Sequence, residues 1–543
     1  MARDKWFWLA LLLGGVVLSP VLWYGLGMDQ AVYAYDAWAW RTHHLLPYVG
    51  TWDQNFPGIF IIHRLATTLF GDSILGFRIF DFLAQLSSLA MIFYLAKKLS
   101  GSSRAAFFTV IFYGFYYLGR GRWDAGQRDA FVFWILLAAI FFLVALQKHL
   151  WLRAVVVGLL AGFAFLIRPT FGLAWIAFGV FILAESISRK RGNTLKEFTV
   201  FCLSCLLPPA IVISYYWHAG YLTEMLRAVL WFNFKIYARL RPPEVAVSYP
   251  AWILYKLNSL VGSQAVIVFL ALSSVLFASG EAGRERPGRG IFWLCLAMIV
   301  IGAASYLLLG KDLQYQLIPF WGFVILLSSP GLACLAALPA RNRGGIPAAA
   351  RVWAFYLLVT AFMFASIPYE WTVFAFRHAY RDLDSAYLAG MGVSDQLLSE
   401  NHYLAAKYLQ AQLRPGDEVE VFGAHPLISY LLRKKLPSRF VVVQDLMFST
   451  NRSLTQMQKA WIREYTADVI SARPRFFVIA EQGIYFPAAL SKQSFKTGLK
   501  EAFPELFLFL QNNYRPLKKI GDTEIFELAG QSGRPQEPDP EKR

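Results

Sequence analysis

Charged side chains are scarce in this sequence. Of its 543 residues only 16% are Asp, Glu, Lys or Arg, whereas 57% are hydrophobic. Soluble domains carry roughly 25% charged residues. A water-soluble protein of this length could not bury so much apolar surface, so a bilayer must solvate much of the chain. The low charge content therefore excludes a wholly soluble protein.

Cysteine and the common catalytic motifs are also scarce. The four cysteines all lie in apolar stretches, so no disulfide framework is indicated. Cys202 and Cys205 have the spacing of a redox or metal pair, but within an apolar run this spacing favours helix packing. No G-x-G-x-x-G, P-loop, H-E-x-x-H or G-x-S-x-G motif occurs. Nucleotide-binding folds, zinc proteases and α/β-hydrolases are therefore not indicated.

A metal site is only weakly indicated. His43 and His44 share one segment with His63, but adjacent histidines on a helix point about 100° apart. Zinc-ligand spacing is absent from the sequence. No cofactor is predicted, and a divalent metal is left open.

Apolar runs of about 17–25 residues recur along the chain, and this length crosses the hydrocarbon layer as a helix. The first run follows Lys5, is too long for a secretory leader and lacks a small-x-small cleavage site, so it predicts an uncleaved span. About eleven spans are predicted, near residues 6–26, 79–96, 104–119, 130–147, 150–167, 171–187, 198–217, 252–279, 291–309, 315–338 and 351–368.

Basic residues give the chain a net charge of +17, and they are scattered between apolar runs rather than gathered into a nucleic-acid surface. Cytoplasmic loops of membrane proteins are enriched in Lys and Arg. With the N-terminus in the cytoplasm, the alternate loops on that side contain, among others, Lys97, Lys98, Lys148, Arg153, Arg189, Lys196, Arg289, Arg341 and Arg351. This bias predicts a multi-pass plasma (inner) membrane protein whose C-terminal part, after an odd number of spans, lies outside.

The composition becomes that of a soluble domain beyond Tyr369. Helical patterns alternate with strand patterns at residues 418–423, 439–445 and 475–481, and a hairpin pattern covers residues 514–529. This order predicts an open α/β sheet. The predicted domains are a transmembrane module over 1–368, an outer α/β domain over 369–530, and a disordered tail over 531–543, which is rich in Pro, Glu and Lys.

The segment 27–78 is the longest stretch before this domain that is neither span nor linker. Residues 29–44 predict an amphipathic helix at the membrane interface, with Tyr33, Ala37 and Trp40 on one face. Residues 57–70 are apolar but too short to span, and they predict a second interfacial or re-entrant helix.

Carboxylates interleaved with cations lie at the predicted outer boundary of the membrane. The carboxylates are Asp29, Asp36, Asp53, Asp124 and Asp129. Cations kept on this side oppose the topological bias, and two interpretations stay open: an anionic ligand, or lipid headgroups and local salt bridges. Asp29 follows the first span, where it suits either a helix N-cap or a catalytic role.

The first outer segment resembles that of GT-C class integral membrane glycosyltransferases, in the group that contains protein O-mannosyltransferases and lipid A aminoarabinose transferases. The resemblance is carried by GMDQAVYAYDAW and by LLPYVGTWDQNFPGIFIIHRLATTLFGDSILGFRIFD. Two further segments, GRWDAGQRDAF and GKDLQYQLIPF, resemble later outer loops of the family. The family's motif positions read here as Asp29-Gln30, Tyr33, Pro47-Tyr48, Asn55-Phe56-Pro57, Phe70-Gly71 and Arg78.

This resemblance implies an inverting enzyme that moves a sugar from a polyprenyl-phosphate-linked donor to a lipid, glycan or protein acceptor. The reaction would take place on the outer face, in lipopolysaccharide or polysaccharide biosynthesis. Asp29 is implied as the catalytic base. The implied substrate-binding residues are Asp53, Asp124, Arg128, Asp129, Tyr33 and Tyr48, and the implied phosphate-binding residues are Lys311, Arg122, Arg64 and Tyr315.

Two positions depart from the family pattern. Gln30 stands where the family has Glu, and Phe56 stands where many relatives have a Lys that can hold the lipid phosphate. Another cation must then bind the phosphate, from among Lys311, Arg128, Arg122 and Arg64.

Two other functions stay open: a polytopic transporter or flippase, and a non-catalytic subunit of polysaccharide assembly. The spans carry almost no charge and no internal repeat is visible in their hydropathy. Both features count against transport.

Overall fold

Helices make up most of the chain. The computed structural model describes residues 4–189, 194–239, 265–280, 288–311, 313–341, 347–365, 367–392, 399–424, 426–448, 454–481 and 494–530. These residues fall into two compact units. The first comprises Met1–Gln30, Asn55–Met225 and Arg241–Val393, and the second comprises Ala31–Gln54, Leu226–Leu240 and Ser394–Arg543.

The helices are numbered in chain order. Up to residue 218 they are α1 (Lys5–Leu18), α2 (Met28–His43), α3 (Gly58–Phe70), α4 (Ile74–Ser100), α5 (Ser103–Leu118), α6 (Gly121–Asp124), α7 (Arg128–Ala145), α8 (Leu150–Ile167), α9 (Leu173–Ser188) and α10 (Thr194–His218). Beyond it they are α11 (Leu222–Leu226), α12 (Asn233–Lys235), α13 (Ala265–Gly280), α14 (Arg289–Leu309), α15 (Ile318–Arg341), α16 (Ala348–Ala365), α17 (Tyr369–Arg377), α18 (Leu383–Gly392), α19 (Ser399–Gln412), α20 (Leu427–Leu432), α21 (Gln456–Ala472), α22 (Phe495–Ala502) and α23 (Pro504–Asn513).

Within the described ranges, nine helices are long and apolar enough to cross a bilayer. They are Lys5–Trp23, Ile74–Ser100, Arg128–Ala145, Leu150–Ile167, Pro169–Ser188, Thr194–His218, Arg289–Leu309, Gln314–Ala337 and Ala348–Ala365. Each corresponds to a predicted span, and the chain is a multi-pass helical membrane protein with a small C-terminal sheet, as predicted.

The total of eleven spans stays a prediction. The predicted span 104–119 corresponds to α5, which has 16 residues. The predicted span 252–279 begins in residues 252–264, which lie outside the described part, although α13 covers its end. The predicted disordered tail 531–543 also lies outside the described residues.

The turn between α4 and α5 shows how local sequence ends these helices. Gly101 terminates α4 with φ 68°, and Ser102 caps α5 by accepting a hydrogen bond from the Ala105 N–H. A left-handed residue favours glycine, and serine is a preferred N-cap. The turn places Lys97 and Lys98 in the last turn of α4.

A buried ion cluster joins α8, α9 and α10. Arg153 is fully buried, and its Nη1 lies 2.5 Å from Glu185 Oε2. Its Nε donates to Glu197 Oε1 at 3.0 Å, and its Nη2 contacts the same oxygen. Arg153 was one of the cations that indicated the cytoplasmic side, but its charge is matched inside the bundle by two carboxylates.

We expect Arg153→Gln to lower the free energy of unfolding by about 3–5 kcal/mol, because it leaves Glu197 buried without its counter-charge. Arg189→Gln is the matched control. Arg189 also pairs with Glu185, but its side chain is 50% exposed, so its loss should cost about 1 kcal/mol or less. Thermal unfolding of the purified protein in detergent measures both. Equal effects of the two substitutions would contradict the internal role of Arg153.

The second unit contains a four-stranded mixed sheet of order β1-β2-β4-β3. The strands are β1 (Val419–Gly423), β2 (Phe476–Ala480), β3 (Tyr514–Ile520) and β4 (Thr523–Leu528). β1 and β2 are parallel, β4 is antiparallel to β2, and β3 forms a hairpin with β4. The predicted strands 418–423 and 475–481 and the hairpin 514–529 are confirmed.

The predicted strand 439–445 is wrong. This segment contains the 3₁₀ turn Val443–Met447 instead of a strand. Its consecutive apolar residues are buried, and such a run does not distinguish a buried strand from other buried chain. The Arg439 carbonyl accepts the Trp52 N–H at 2.7 Å, outside the sheet.

Residues from the first loop belong to this second unit. Trp52 packs on Phe440 and Trp461, with ring centroids 6.0 and 5.0 Å away. The Tyr35 hydroxyl donates to the Lys434 carbonyl and accepts from the Leu436 N–H. The loop segment is therefore built into the C-terminal domain's core, while a domain boundary at residue 368 stays a prediction.

The predicted interfacial helix needs correction. A helix is present, α2, but its residues 30–39 are buried on every face. An amphipathic helix lying in the membrane interface would keep one face in water. A helix is also present at residues 57–70, as α3, which follows Pro57 and ends before Gly71 with φ 82°. Its interfacial or re-entrant placement stays a prediction.

Candidate functional site

Side chains from separate segments of the first unit meet around the phenol of Tyr315. The phenol donates to Asp29 Oδ2 at 3.1 Å and accepts from Arg128 Nη2 at 3.1 Å. Arg128 Nη2 lies 4.0 Å from Asp29 Oδ2, and Arg128 Nη1 contacts Asn55 Oδ1. We call these four residues the Asp29 cluster. The Asp29 side chain is 32% exposed, so its carboxylate is accessible to a ligand.

Helix ends position the Asp29 cluster. Asp29 lies in the first turn of α2, Arg128 is the first residue of α7, and Tyr315 lies in the 3₁₀ turn before α15. Because α2 begins at Met28, Asp29 is not its N-cap, contrary to one expectation. A carboxylate in the first turn is still stabilised by the positive end of the helix dipole.

A second carboxylate contacts the backbone of Tyr315. Asp124 accepts a hydrogen bond from the Tyr315 N–H, and its Oδ2 lies 3.9 Å from Arg120 Nη1. Burial raises the pKa of Asp124 to about 6, and nearby Asp129 also raises it, while Arg120 and the N–H act in the opposite direction. A carboxyl group with this pKa changes protonation close to neutral pH, which suits proton transfer better than an ordinary aspartate does.

Asp129 has an internal partner. Its Oδ2 accepts a hydrogen bond from Arg168 Nη1 at 2.8 Å, and both side chains are buried. The ion pair connects the first turn of α7 with the segment that precedes α9. Asp129 therefore fixes the start of α7, where Arg128 begins the helix.

The predicted phosphate-binding cations lie in different environments. Lys311 is 6% exposed and lies four residues before Tyr315, and burial lowers the pKa of its amine to about 8. Arg122 is fully buried, donates to the Leu26 carbonyl at 3.0 Å and stacks on Trp123. Arg64 is half-buried on α3. Of these three cations, Lys311 is the nearest in the chain to the Asp29 cluster.

Three predicted substrate-binding residues belong to the second unit. Tyr33 and Tyr48 are fully buried there, and Tyr48 has φ 73°. Its carbonyl accepts from Arg439 Nη1 at 3.1 Å. Asp53 is 5% exposed and acts on buried Asp36, whose pKa is raised well above its ordinary value by burial and then by Asp53.

The grouping of metal-binding side chains bears on the metal site that the sequence left open. In the part of the chain that the structure describes, no three or more His, Cys, Asp or Glu side chains are grouped so that they could hold a metal ion. His63 is buried and stacks on Phe77 at 4.3 Å. Burial, with Arg78, lowers the pKa of His63 to about 3.

Comparisons with known proteins identify a family model and relatives that this chain resembles. The family model for Dolichyl-phosphate-mannose-protein mannosyltransferase matches residues 54–217. An undecaprenyl phosphate-alpha-4-amino-4-deoxy-L-arabinose arabinosyl transferase of Pseudomonas paraeruginosa is 24% identical over 478 residues, which cover 76% of this chain and 84% of the relative. The chain is a membrane glycosyltransferase related to these enzymes.

Solved structures agree with this assignment at the level of the fold. ArnT from Cupriavidus metallidurans bound to undecaprenyl phosphate superposes with a TM-score of 0.56 over 98% of both chains, at 15% identity. Its apo state gives a TM-score of 0.57, over 99% of this chain and 100% of that one. The predicted relationship of this glycosyltransferase to the lipid A aminoarabinose transferases is confirmed. The comparisons favour a transferase over a transporter or a non-catalytic subunit.

The buried guanidinium of Arg78 connects three segments that adjoin residues of the Asp29 cluster in the chain. Arg78 is fully buried and lies near the start of α4. It donates to carbonyls on two loops, those of Tyr24 (3.2 Å), Gly25 (2.5 Å), Arg122 (3.2 Å) and Ala125 (2.8 Å). It also donates to Gln30 Oε1 at 2.8 Å and lies 3.5 Å from Asp81 Oδ2.

Gln30 explains one departure from the family pattern. Its Oε1 accepts from the Gly27 N–H and from Arg78, while its Nε2 donates to the carbonyls of Arg122 and Ala125 at 3.1 and 2.7 Å. A carboxylate at this position could accept the first two bonds but could not donate the others. The missing charge is thus replaced by a fully bonded amide.

Sequence reasoning missed two functional neighbours. Asn55 appeared only as the first residue of the loop motif, and the structure places it on Arg128. Arg168 was not singled out by the sequence, and the structure pairs it with Asp129. A polar residue just before the Phe56-Pro57 pair was the available signal for Asn55. No local pattern indicated the partner of Arg168, because the pair joins distant helices.

The amide of Gln30 gives a testable order of stabilities. Gln30→Ala leaves both loops with unpaired buried groups and should lower stability by about 1–3 kcal/mol or more. Gln30→Glu keeps the two acceptor contacts and should have an intermediate effect. Thermal unfolding in detergent measures the order, and wild-type stability of the alanine variant would contradict it.

Proposed function

We propose that the chain transfers a sugar from a polyprenyl-phosphate donor to a lipid acceptor, with Asp29 as the catalytic carboxylate. The observation that carries this proposal is the meeting of Asp29, Arg128 and Tyr315 around one partly exposed carboxylate. The donor class is supported by the name of the Pseudomonas relative and by the undecaprenyl phosphate in the ArnT structure. Glycan or protein acceptors are the alternatives.

The chemistry needs one base and one anion-binding site. The acceptor oxygen attacks the anomeric carbon while the bond from that carbon to the phosphate oxygen breaks, so a single displacement inverts the centre. The polyprenyl phosphate leaves as an anion, and nearby cations stabilise its developing charge. The acceptor hydroxyl gives its proton to Asp29.

The contacts of Asp29 suit this role. Tyr315 and Arg128 both approach Oδ2, so Oδ1 is the oxygen oriented to take the proton. The phenol and the guanidinium restrain the orientation of the carboxylate. With a phosphate acceptor, already anionic at neutral pH, the same carboxylate would orient the attacking oxygen.

The donor phosphate is assigned to Lys311, with Arg128 beside it. Phe56 removes the loop cation that many relatives have, and Arg122 already donates to the Leu26 carbonyl. Lys311 is the remaining cation in the same loop as Tyr315. A bound phosphate would stabilise its charged form, which burial disfavours.

The outer face of the plasma (inner) membrane is proposed for the reaction. The Asp29 cluster lies at the start of α7, whereas Lys97 and Lys98 lie at the end of α4. The excess of cations at the latter end favours the cytoplasm there, with the N-terminus. The C-terminal domain would then lie outside.

We expect Asp29→Asn to reduce transfer by about 10²–10⁴-fold with a hydroxyl acceptor, because the amide cannot accept the proton. Asp382→Asn, which removes an exposed carboxylate, is the control and should retain activity. The assay measures polyprenyl phosphate released from labelled polyprenyl-phospho-sugar by the detergent-purified protein. Turnover close to wild type in the Asp29 variant would show that another group is the base.

The pKa of Lys311 predicts a pH dependence. The amine is charged below about 8, so kcat/KM for the donor should fall as the pH rises through this value. In Lys311→Arg the fall should move to a much higher pH, since guanidinium stays charged. Lys311→Ala should give a low kcat/KM that does not fall further as the pH rises through about 8. If kcat/KM fell in the same way at alkaline pH in the wild type and both variants, the phosphate would be bound by the arginines instead of Lys311.

A further inference from the structure

A cavity lies far from the Asp29 cluster. Its volume is about 840 Å³, and it opens between α4, α7, α9 and α14. Binding pockets for small molecules typically occupy about 300–1,000 Å³. Its walls include Tyr94 and Lys98 of α4, Val180 of α9 and Trp293 of α14.

The cavity and the Asp29 cluster occupy opposite ends of the same helices. α4 carries Arg78 near its start and Lys98 in its last turn. At 1.5 Å per residue, these two positions are about 30 Å apart along the helix, close to the thickness of the hydrocarbon layer. α7 likewise begins at Arg128 and contributes Val144 to the cavity. The sugar phosphate of a donor bound at the Asp29 cluster would not reach this cavity.

Cations dominate the polar part of the cavity wall. Lys98, Arg189 and Arg289 line it, together with the carboxylate of Glu185. Glu185 pairs with Arg189 at 3.0 Å and with Arg153, which also binds Glu197. The charges of Arg153 and Arg189 are balanced by those of Glu185 and Glu197. Lys98 and Arg289 therefore supply the excess positive charge of the cavity wall.

Lys98 and Arg289 come from different helices that approach closely. Gly288 precedes α14 with φ 112°, and a Cβ there would lie 2.8 Å from the Lys98 carbonyl oxygen. Only glycine fits both this conformation and this approach. Among the described residues, neither Lys98 nor Arg289 forms an ion pair, and Lys98 lies 5.8 Å from the Tyr94 ring centroid.

The other walls are apolar and open outward. Val180 and Trp293 are 60% and 55% exposed, respectively. Both belong to predicted spans that the structure confirms, so these exposed faces meet lipid chains rather than water. Tryptophan at a span end is typical of the headgroup boundary.

We propose that this cavity binds an anionic phospholipid of the leaflet that the positive-charge bias assigns to the cytoplasm. The lipid phosphate lies between Lys98 and Arg289, and its acyl chains follow Val180 and Trp293. Basic pockets between spans on this side attract anionic headgroups. A zwitterionic headgroup would bring its own cation towards Lys98 and Arg289, and so it binds less well.

The test uses the full-length protein purified in detergent and titrated with phosphatidylglycerol, with thermal unfolding as the readout. A ligand that binds the folded state raises the unfolding temperature. Lys98→Gln/Arg289→Gln should require about ten-fold more lipid, or more, for the same rise. Each single variant should show a smaller loss, which keeps the test valid if the double variant does not fold.

Two controls sharpen the result. Arg104→Gln/Lys196→Gln removes two exposed cations near the same end of the bundle but outside the cavity, and should respond as wild type does. Phosphatidylcholine should raise the unfolding temperature of the wild type less than phosphatidylglycerol does. An equal rise with phosphatidylcholine or with inorganic phosphate alone would overturn the proposal, as would unchanged responses of the cavity variants.

Discussion

The arrangement around Asp29 depends on one buried cation. Arg78 holds the loop after α1 and the loop around α6 by donating to carbonyls of both. A buried guanidinium is tolerated only where its donors are bonded, so both loops must keep their conformation. Asp29 precedes Gln30, whose side chain accepts from Arg78, and Asp124 precedes Ala125, whose carbonyl accepts from Arg78. Their separation is therefore set by Arg78, although neither carboxylate touches it.

Three carboxylates of the first unit differ in environment, and the difference supports the separate roles proposed for them. Asp29 is partly exposed and bonded to a phenol, which suits a group that meets substrate. Asp124 is buried and has a pKa of about 6. Asp129 is buried and paired with Arg168. Environments that separate titratable groups in this way commonly separate catalytic from structural functions.

Sequence could predict what depends on local pattern, and it did so for the spans and most strands. The family resemblance also named Asp29, Arg128 and Tyr315 as site residues, and the structure brings these three together. Sequence reasoning failed where burial is decided by distant contacts. Residues 439–445 look like a strand, but their partner is Trp52, almost 400 residues earlier. The periodicity of α2 suggested an exposed face, yet Tyr35 is covered by the C-terminal domain's backbone. Gln30 looked like a lost charge, since its carbonyl partners lie about 95 residues away.

The substitution of Phe56 for the expected lysine changes how the proposed site would operate. Many members of the family that this sequence resembles carry a lysine at this position, where it can hold the lipid phosphate. Here Lys311 shares a short loop with Tyr315, whose hydroxyl contacts Asp29 and whose N–H contacts Asp124. If Lys311 holds the phosphate, as proposed, binding the donor also restrains the residue that orients both carboxylates. Burial lowers the pKa of the Lys311 amine to about 8, and a bound anion would raise it again. Phosphate binding and orientation of the base would then be coupled through the short chain segment that joins Lys311 to Tyr315.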